Sequence, residues 1–280
     1  MAAVRAGALP VRPAGFLHSW SRLVACADGP TCLSLALMDR IVHVDASASS
    51  VTVQPGVTLR ALRAALGANG LTLPSWPMLL DQTVGGAIAC GSHGTSATDG
   101  TLSDGVTRLR LVTADSGVVE LAQRPSESAA TDGAPRASVD GRDDELFDAA
   151  RLSLGALGVA TLIELRCVRA YYVRRHVHTL RVAELEFRLN ALADAYRHVW
   201  GLWALGHEEL CIAALEDVGD APASGARRYD GENWWAGTPP FAPPGLRRHA
   251  DADADRSARW HSLQYSVPWP SLGAALSRIS

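Results

Sequence analysis

The stretch "RIVHVDASASSVTVQPG" (40–56) sets two short β-branched runs on either side of a small polar turn, a pattern that predicts a β-hairpin. The period then changes. In "TLRALRAALGANG" the leucines at 59, 62 and 66 recur at helical spacing, Thr58 stands where an N-cap belongs, and Gly67 or Gly70 can end the helix. "VTRLRLVTADSGVVEL" (106–121) predicts a second strand pair that turns at Asp115, Ser116 and Gly117. "DDELFDAARLSLGALG" predicts a helix with an acidic first turn, and "VATLIELRCVRAYYV" a long strand. Near Ala170 the character shifts. "VAELEFRLNALADAYRHVW" places Leu185, Leu189, Leu192, Tyr196 and Val199 on one face of an amphipathic helix. Later, "RWHSLQYSVPW" returns to alternation and "PSLGAALSRIS" opens another helix. Two stretches have no period. Residues 122–142 read as a mobile surface loop, and 218–259, which carries Trp234 and Trp235, as an insertion or disordered loop.

Composition narrows the class. At 280 residues, 48% of them hydrophobic and 20% charged, the chain can bury a sizeable core and is long enough for two domains. All 26 basic residues are arginine and the net charge is −3, so no general attraction to nucleic acid or an anionic membrane follows. Five scattered cysteines without a C-x-x-C pair read as reduced thiols of an intracellular protein. The N-terminus lacks an apolar core suited to secretion, and no apolar run reaches the length of a membrane span. A soluble, intracellular, cytoplasmic protein is the expectation, with a mitochondrial or membrane-associated form left open.

The densest candidate chemistry is "VGGAIACGSHGTS" (84–96), with four glycines, a histidine and several hydroxyls in thirteen positions. A Walker A loop needs a lysine, and the chain has none. The glycines at 85, 86, 91 and 94 do not fit G-x-G-x-x-G, and no acid is placed to hold a ribose. Cys90 and His93 have no second pair at ligand spacing, so no metal site is read. Two readings remain open. The backbone amides form a nest for a pyrophosphate, or the glycines serve close packing between strands.

A second small loop with a histidine, "VRPAGFLHSWSRL" (11–23), precedes the hairpin. In order come "LMDRIVHVD", "VTVQPGVTLRALRAALGANGLTLP", "DQTVGGAIACGSHGTS", "LSDGVTRLRLVTADSG" and "DELFDAARLSLGALGVATLIEL". From about residue 10 to 170 this order resembles the flavin oxidases of the vanillyl-alcohol-oxidase type, whose first loop has the form V-x-G-x-G-H-S. "GSHGTS" and "SLGALGV" bring it nearest to the sugar-lactone and alditol branch.

The resemblance implies an α+β fold: a two-subdomain PCMH-type FAD-binding domain over 1–169 that lacks its first strand and helix, then an incomplete α+β substrate or cap domain over 170–280. It implies FAD as cofactor. Ala14, Gly15, Phe16, Leu17, His18 and Ser19 become the first pyrophosphate loop, with Leu17 where the family has its second glycine. His18 falls where many members bond the flavin covalently, though it can instead only hydrogen-bond the cofactor. Gly86, Ile88, Gly91, Ser92, His93, Gly94 and Thr95 would wrap the flavin and its diphosphate, and Val159 would contact the adenine or ribityl side. Thr83 sits where a hydroxyl can reach flavin N5 or the substrate in a catalytic role; a helix cap is the plainer alternative. The implied reaction is hydride transfer from a sugar-derived lactone or polyol to flavin, as in D-arabinono-1,4-lactone oxidase. The electrons then pass to oxygen or another acceptor. The branch supplies a Glu-x-Arg pair from the cap beyond a strand like "LQYSVP", and none follows residue 268 here. That keeps a second class in view, a flavin-binding or partner-binding remnant whose incomplete cap needs a covering partner. A nicotinamide-dependent reductase on the same fold is the third.

Overall fold

The computed structural model describes residues 11–19, 31–96, 98–123, 142–203 and 208–230. The chain divides into two compact units, the first running to Gly94 and from Asp99 to Tyr171 with the segment at Tyr229, the second built from Thr95–Thr98 and Tyr172–Arg228.

The first unit begins with a parallel pair, β1 (Val11–Ala14) and β2 (Thr31–Ser34). The predicted hairpin forms as β3 (Ile41–Asp45) and β4 (Ser50–Val53), with Asp45 Oδ1 accepting from the amides of Ser47 and Ala48 in the turn. Helix α1 (Leu59–Ala68) is capped by Thr58, whose hydroxyl accepts from the Ala61 amide, and Leu59, Leu62 and Leu66 are fully buried. β5 (Leu71–Thr72), helix α2 (Val84–Ala89), β6 (Val106–Thr113) and β7 (Gly117–Ala122) follow. Next come α3 (Arg142–Arg151), β8 (Val159–Arg166) and β9 (Val168–Arg169). The main sheet is antiparallel in the order β3-β4-β8-β6-β7. Its inward positions, among them Val51, Val53, Leu109, Ile163 and Leu165, supply the core.

The single long strand expected after residue 159 is broken. Ser50↔Arg166 is the last rung of the β4–β8 ladder, because Ser49 turns away with a positive φ of 50°. The chain leaves the sheet at Cys167, whose amide donates to Ser49 O, and β9 pairs with β5 instead.

The second unit is an antiparallel sheet in the order β11-β12-β10-β13, with β10 at Tyr172–Arg181, β11 at His198–Trp203, β12 at Glu209–Asp217 and β13 at Arg227–Arg228. Helix α4 (Leu185–Ala195) covers one face, burying Leu185 and Leu192 with Leu180, Leu210 and Ile212. The helix expected to continue through Val199 stops at Ala195. Tyr196 is already extended, at φ −130° and ψ 136°, and the β-branched and aromatic run after it pairs with β12. Tyr196 and Val199 still join the apolar cluster, but from extended backbone.

The cysteine expectation needs correction. Cys32 is disulfide-bonded, while Cys90, Cys167 and Cys211 are free thiols. Burial pushes the Cys167 thiol up to about 12, so it stays protonated and inert. Of the aperiodic stretch 218–259, residues 218–230 are ordered enough to carry β13 and a buried Tyr229. The loop expected at 122–142 lies outside the described residues from 124 to 141, as do Trp234, Trp235 and everything read over 259–280. No described helix is long and apolar enough to cross a membrane.

Candidate functional site

Within the first unit, three loops converge. The first follows β1 and runs from Gly15 to Ser19; the second runs from Asp81 through α2 to Gly94; the third, Leu152–Gly158, links α3 to β8. The contacts that join them are tight. A Cβ on Gly15 would collide with Thr83 Oγ1, so the first loop rests directly on the second. A Cβ on Gly155 would come within 2.5 Å of Pro13 Cγ, so the third rests on the first. The Leu154 amide donates to Ala89 O at 3.2 Å, and the Leu152 side chain lies against Gly91, which closes the triangle.

The first loop has the features of an anion cradle. Among the described residues, no hydrogen bond within the chain uses the backbone N–H of Gly15, Phe16, Leu17 or His18. Leu17 sits at φ 61°, in the left-handed region, with 65% of its surface exposed. A left-handed residue in a run of unspent amides turns successive N–H groups toward one concave side, the arrangement known as a nest. The loop thus keeps the backbone shape that glycine would take with ease, at the cost of placing a Cβ where it is disfavoured by about 1–2 kcal/mol. Leu17→Gly is therefore expected to stabilise the protein by roughly 0.5–1 kcal/mol after the extra flexibility of the unfolded chain is counted. Chemical denaturation of the two proteins side by side measures this.

His18 is exposed, and among the described residues its ring makes no hydrogen bond. It lies near the start of the second loop. The Arg60 guanidinium donates to the Asp81 carboxylate at 2.8 Å and holds that carboxyl below its ordinary range, and the His18 imidazole adds to the same effect.

The second loop divides by role. Thr83, only 3% exposed, is the N-cap of α2, its Oγ1 accepting from the Gly86 amide at 3.4 Å. The hydroxyl hydrogen of Thr83 is left unspent within the described residues. Gly85 and Gly94 are packing glycines: a Cβ would press on Pro55 in one case, and on Ser75 and the Trp76 backbone in the other. Gly86 has open space beyond the Thr83 hydroxyl, and Gly91 has a φ of 66° that favours glycine. Ser92 Oγ donates to Gln82 Oε1 at 3.1 Å, tying the two ends of the loop together. His93 is exposed, its Nδ1 2.9 Å from Gly94 O, and its backbone bridges Thr101.

Several of the proposed contact residues stand apart. The Ile88 side chain is buried, and its carbonyl accepts from Ser103 Oγ at 2.7 Å and from the Gly91 amide at 3.0 Å. Ala14 and Val159 are also buried, the latter opposite Val112 in the sheet. Thr95 belongs to the second unit, where its carbonyl accepts from the Val199 amide and its hydroxyl lies 3.4 Å from Nδ1 of the buried His198. Sequence reasoning passed over Gln82, Asp81 and Arg60. The "DQT" preceding a predicted cap was the available signal for the first two; nothing local marked Arg60. Among the described residues no group of three or more His, Cys, Asp or Glu side chains is placed to hold a metal ion.

Residues 1–122 match the family described as a FAD binding domain. Over 191 residues the chain is 31% identical to the mitochondrial L-galactono-1,4-lactone dehydrogenase of Arabidopsis thaliana, covering 68% of this chain and 28% of that protein. It is 29% identical over 225 residues to the L-gulonolactone oxidase of Bos taurus, covering 80% of this chain and 46% of the relative. The L-gulono-1,4-lactone dehydrogenase of Mycobacterium tuberculosis is 30% identical over 227 residues, covering 80% of this chain and 48% of the relative. The chain thus spans less than half the length of these relatives. Among solved structures, the cholesterol oxidase of B. sterolicum shares the fold at a TM-score of 0.59 and 18% identity, over 76% of this chain and 41% of that one. The α+β architecture is accordingly that of the PCMH-type FAD oxidases. Residues 1–122 thus match a FAD binding domain, and the chain is similar to L-galactono- and L-gulono-lactone oxidases and dehydrogenases.

Proposed function

We propose that this chain is the FAD-holding part of an oxidoreductase that oxidises a sugar-derived lactone or polyol, with D-arabinono-1,4-lactone, L-gulonolactone and L-galactonolactone as the first substrates to try. The observation that carries this reading is the run of four unspent amides at Gly15–His18, held against Thr83 and bent by a left-handed Leu17. A dinucleotide diphosphate is the ligand that such a lysine-free cradle suits, since aligned amides supply the positive charge. Ser19, Gly86, Gly91, Ser92, His93 and Gly94 extend the cradle along the second loop. Ile88 and Val159, whose side chains are buried, would contribute through backbone or by shaping the wall behind it.

When bound, FAD supplies the hydride acceptor, and electrons leave it for oxygen or another acceptor. The chain's own groups orient and exclude. Thr83 would donate its hydroxyl hydrogen to the bound flavin or substrate while its oxygen holds the helix cap. His18, exposed at the end of the first loop, would carry the covalent link, with the Asp81 carboxylate close by. The substrate-holding groups would come from the cap residues from 170 onward.

Steady-state reduction of a dye by the full-length protein, supplied in turn with these lactones and with alditols, tests the reading. Lactone-dependent reduction that disappears on removal of flavin is the expected result. A flavin-loaded protein inert toward every lactone and alditol, with and without oxygen, would support the binding remnant instead. Flavin reduction by NADPH would move the chain to the reductase class.

A further inference from the structure

The helix-covered face of the second unit's sheet is apolar at one end and charged at the other. Along β10 the side chains of Arg174, His176, His178 and Leu180 share this face, since alternate residues of a strand point the same way. Leu180 joins the cluster that Leu185, Leu192, Leu210 and Ile212 build under α4. At the charged end the Glu216 carboxylate accepts from Arg174 at 2.9 Å and lies 2.9 Å from His176 Nε2. His178 stands between the two ends. Its rung partner is Ile212, inside the apolar cluster, and its ring centre lies 5.8 Å from that of Tyr196, the residue that ends α4. The His176 ring flanks the same tyrosine at 5.2 Å.

His178 Nε2 is shut off from solvent, and neither ring nitrogen has a hydrogen-bond partner among the described residues. A charged imidazole carries an N–H at both nitrogens, so the cation would hold a buried donor with no acceptor. Its surroundings oppose the charge as well. Arg174 and His176 on β10 and Arg188 on α4 carry or can take positive charge, and Glu216 of β12 is already committed to Arg174 and His176. β11 brings Val199 and Gly201 to these rungs, without charge. Burial first, then the charges of His176 and Arg188, push the His178 imidazole below its ordinary value. We propose that His178 is an acid-sensitive latch of the second unit: its neutral ring seats Tyr196 and the end of α4 on the sheet, and proton uptake loosens them. A group held neutral by packing takes its proton more readily once the packing opens. The stability it contributes is therefore complete well above its unfolded value of about 6.5, and is lost as pH falls from there toward the depressed folded value.

Hydrogen exchange of the α4 amides in the full-length protein, corrected for the intrinsic effect of pH on exchange, reads this opening directly. Between pH 7 and pH 5.5 the parent's opening is expected to rise roughly three- to eightfold, the upper figure being the limit for one proton at a group titrating near 6.5. His178→Gln and His178→Phe, neither of which titrates, are expected to leave it flat. Equal rises in the parent and a folded variant overturn the proposal by placing the proton elsewhere. A parent whose α4 opening ignores pH over this range overturns it without recourse to either variant. So does a His178 ring that titrates at or above about 6.5 in the folded parent, followed by NMR.

Discussion

Gly94→Ala is expected to destabilise the protein by about 3 kcal/mol, whereas Gly86→Ala, eight residues earlier in the same loop, is expected to change stability by less than about 1 kcal/mol. The difference lies in what a methyl group meets. At 94 it meets Ser75 Oγ together with Trp76 O at 2.6 Å and Trp76 N at 3.0 Å, and backbone cannot swing aside. At 86 it meets only the Thr83 hydroxyl at 3.1 Å, which a small rotation relieves, and alanine is the better helix former within α2. FAD affinity should order the two differently: Gly86→Ala is expected to lose flavin from a protein that remains folded, because the added methyl stands in the open space over the cradle. Denaturant melts paired with flavin titration measure both quantities. Equal, small stability losses at the two positions would contradict the division of the loop into packing and ligand-facing glycines.

The second large effect is all-or-none. His18→Ala is expected to abolish acid-stable flavin: after precipitation the wild-type pellet stays yellow and the variant's becomes colourless, with FAD recovered in the supernatant. The imidazole is exposed and its ring nitrogens are unspent within the described residues, so nothing in the fold competes for them. Asp81, held below its ordinary carboxyl range first by Arg60, stands close to the ring. A yellow pellet from His18→Ala would move the link elsewhere. A colourless wild-type pellet with FAD in its supernatant would leave His18 as a non-covalent contact.

The glycine loop illustrates what a sequence can and cannot carry. Thr58 as a cap, the leucines of α1 and both hairpins followed from periodicity, because their causes are local: a 3.6-residue or a two-residue repeat and a turn. The ends of elements were less legible. Helix α4 stops just before the run from His198, which pairs with β12, and β8 ends where β4 runs out of partners; both depend on residues far along the chain. The two readings of "VGGAIACGSHGTS" turned out to divide the loop between them. Gly85 and Gly94 pack, while Gly86 and Gly91 face open space or adopt a turn, and only the positions of Pro55, Ser75 and Leu152 reveal which is which. Leu17 shows the reverse case. The sequence breaks the glycine pattern, yet the backbone keeps the left-handed turn. The Cys32 disulfide was not legible, since spacing alone does not report which thiols approach.

The central claim is that Gly15–His18, Thr83 and the third loop together make a FAD site. The absorption spectrum of the purified full-length chain, after incubation with FAD and removal of free cofactor, tests it most directly. Flavin bands near one FAD per chain are expected, reduced to a small fraction by Gly86→Ala. A folded protein that emerges colourless, at FAD concentrations well above those at which flavoproteins fill, would contradict it.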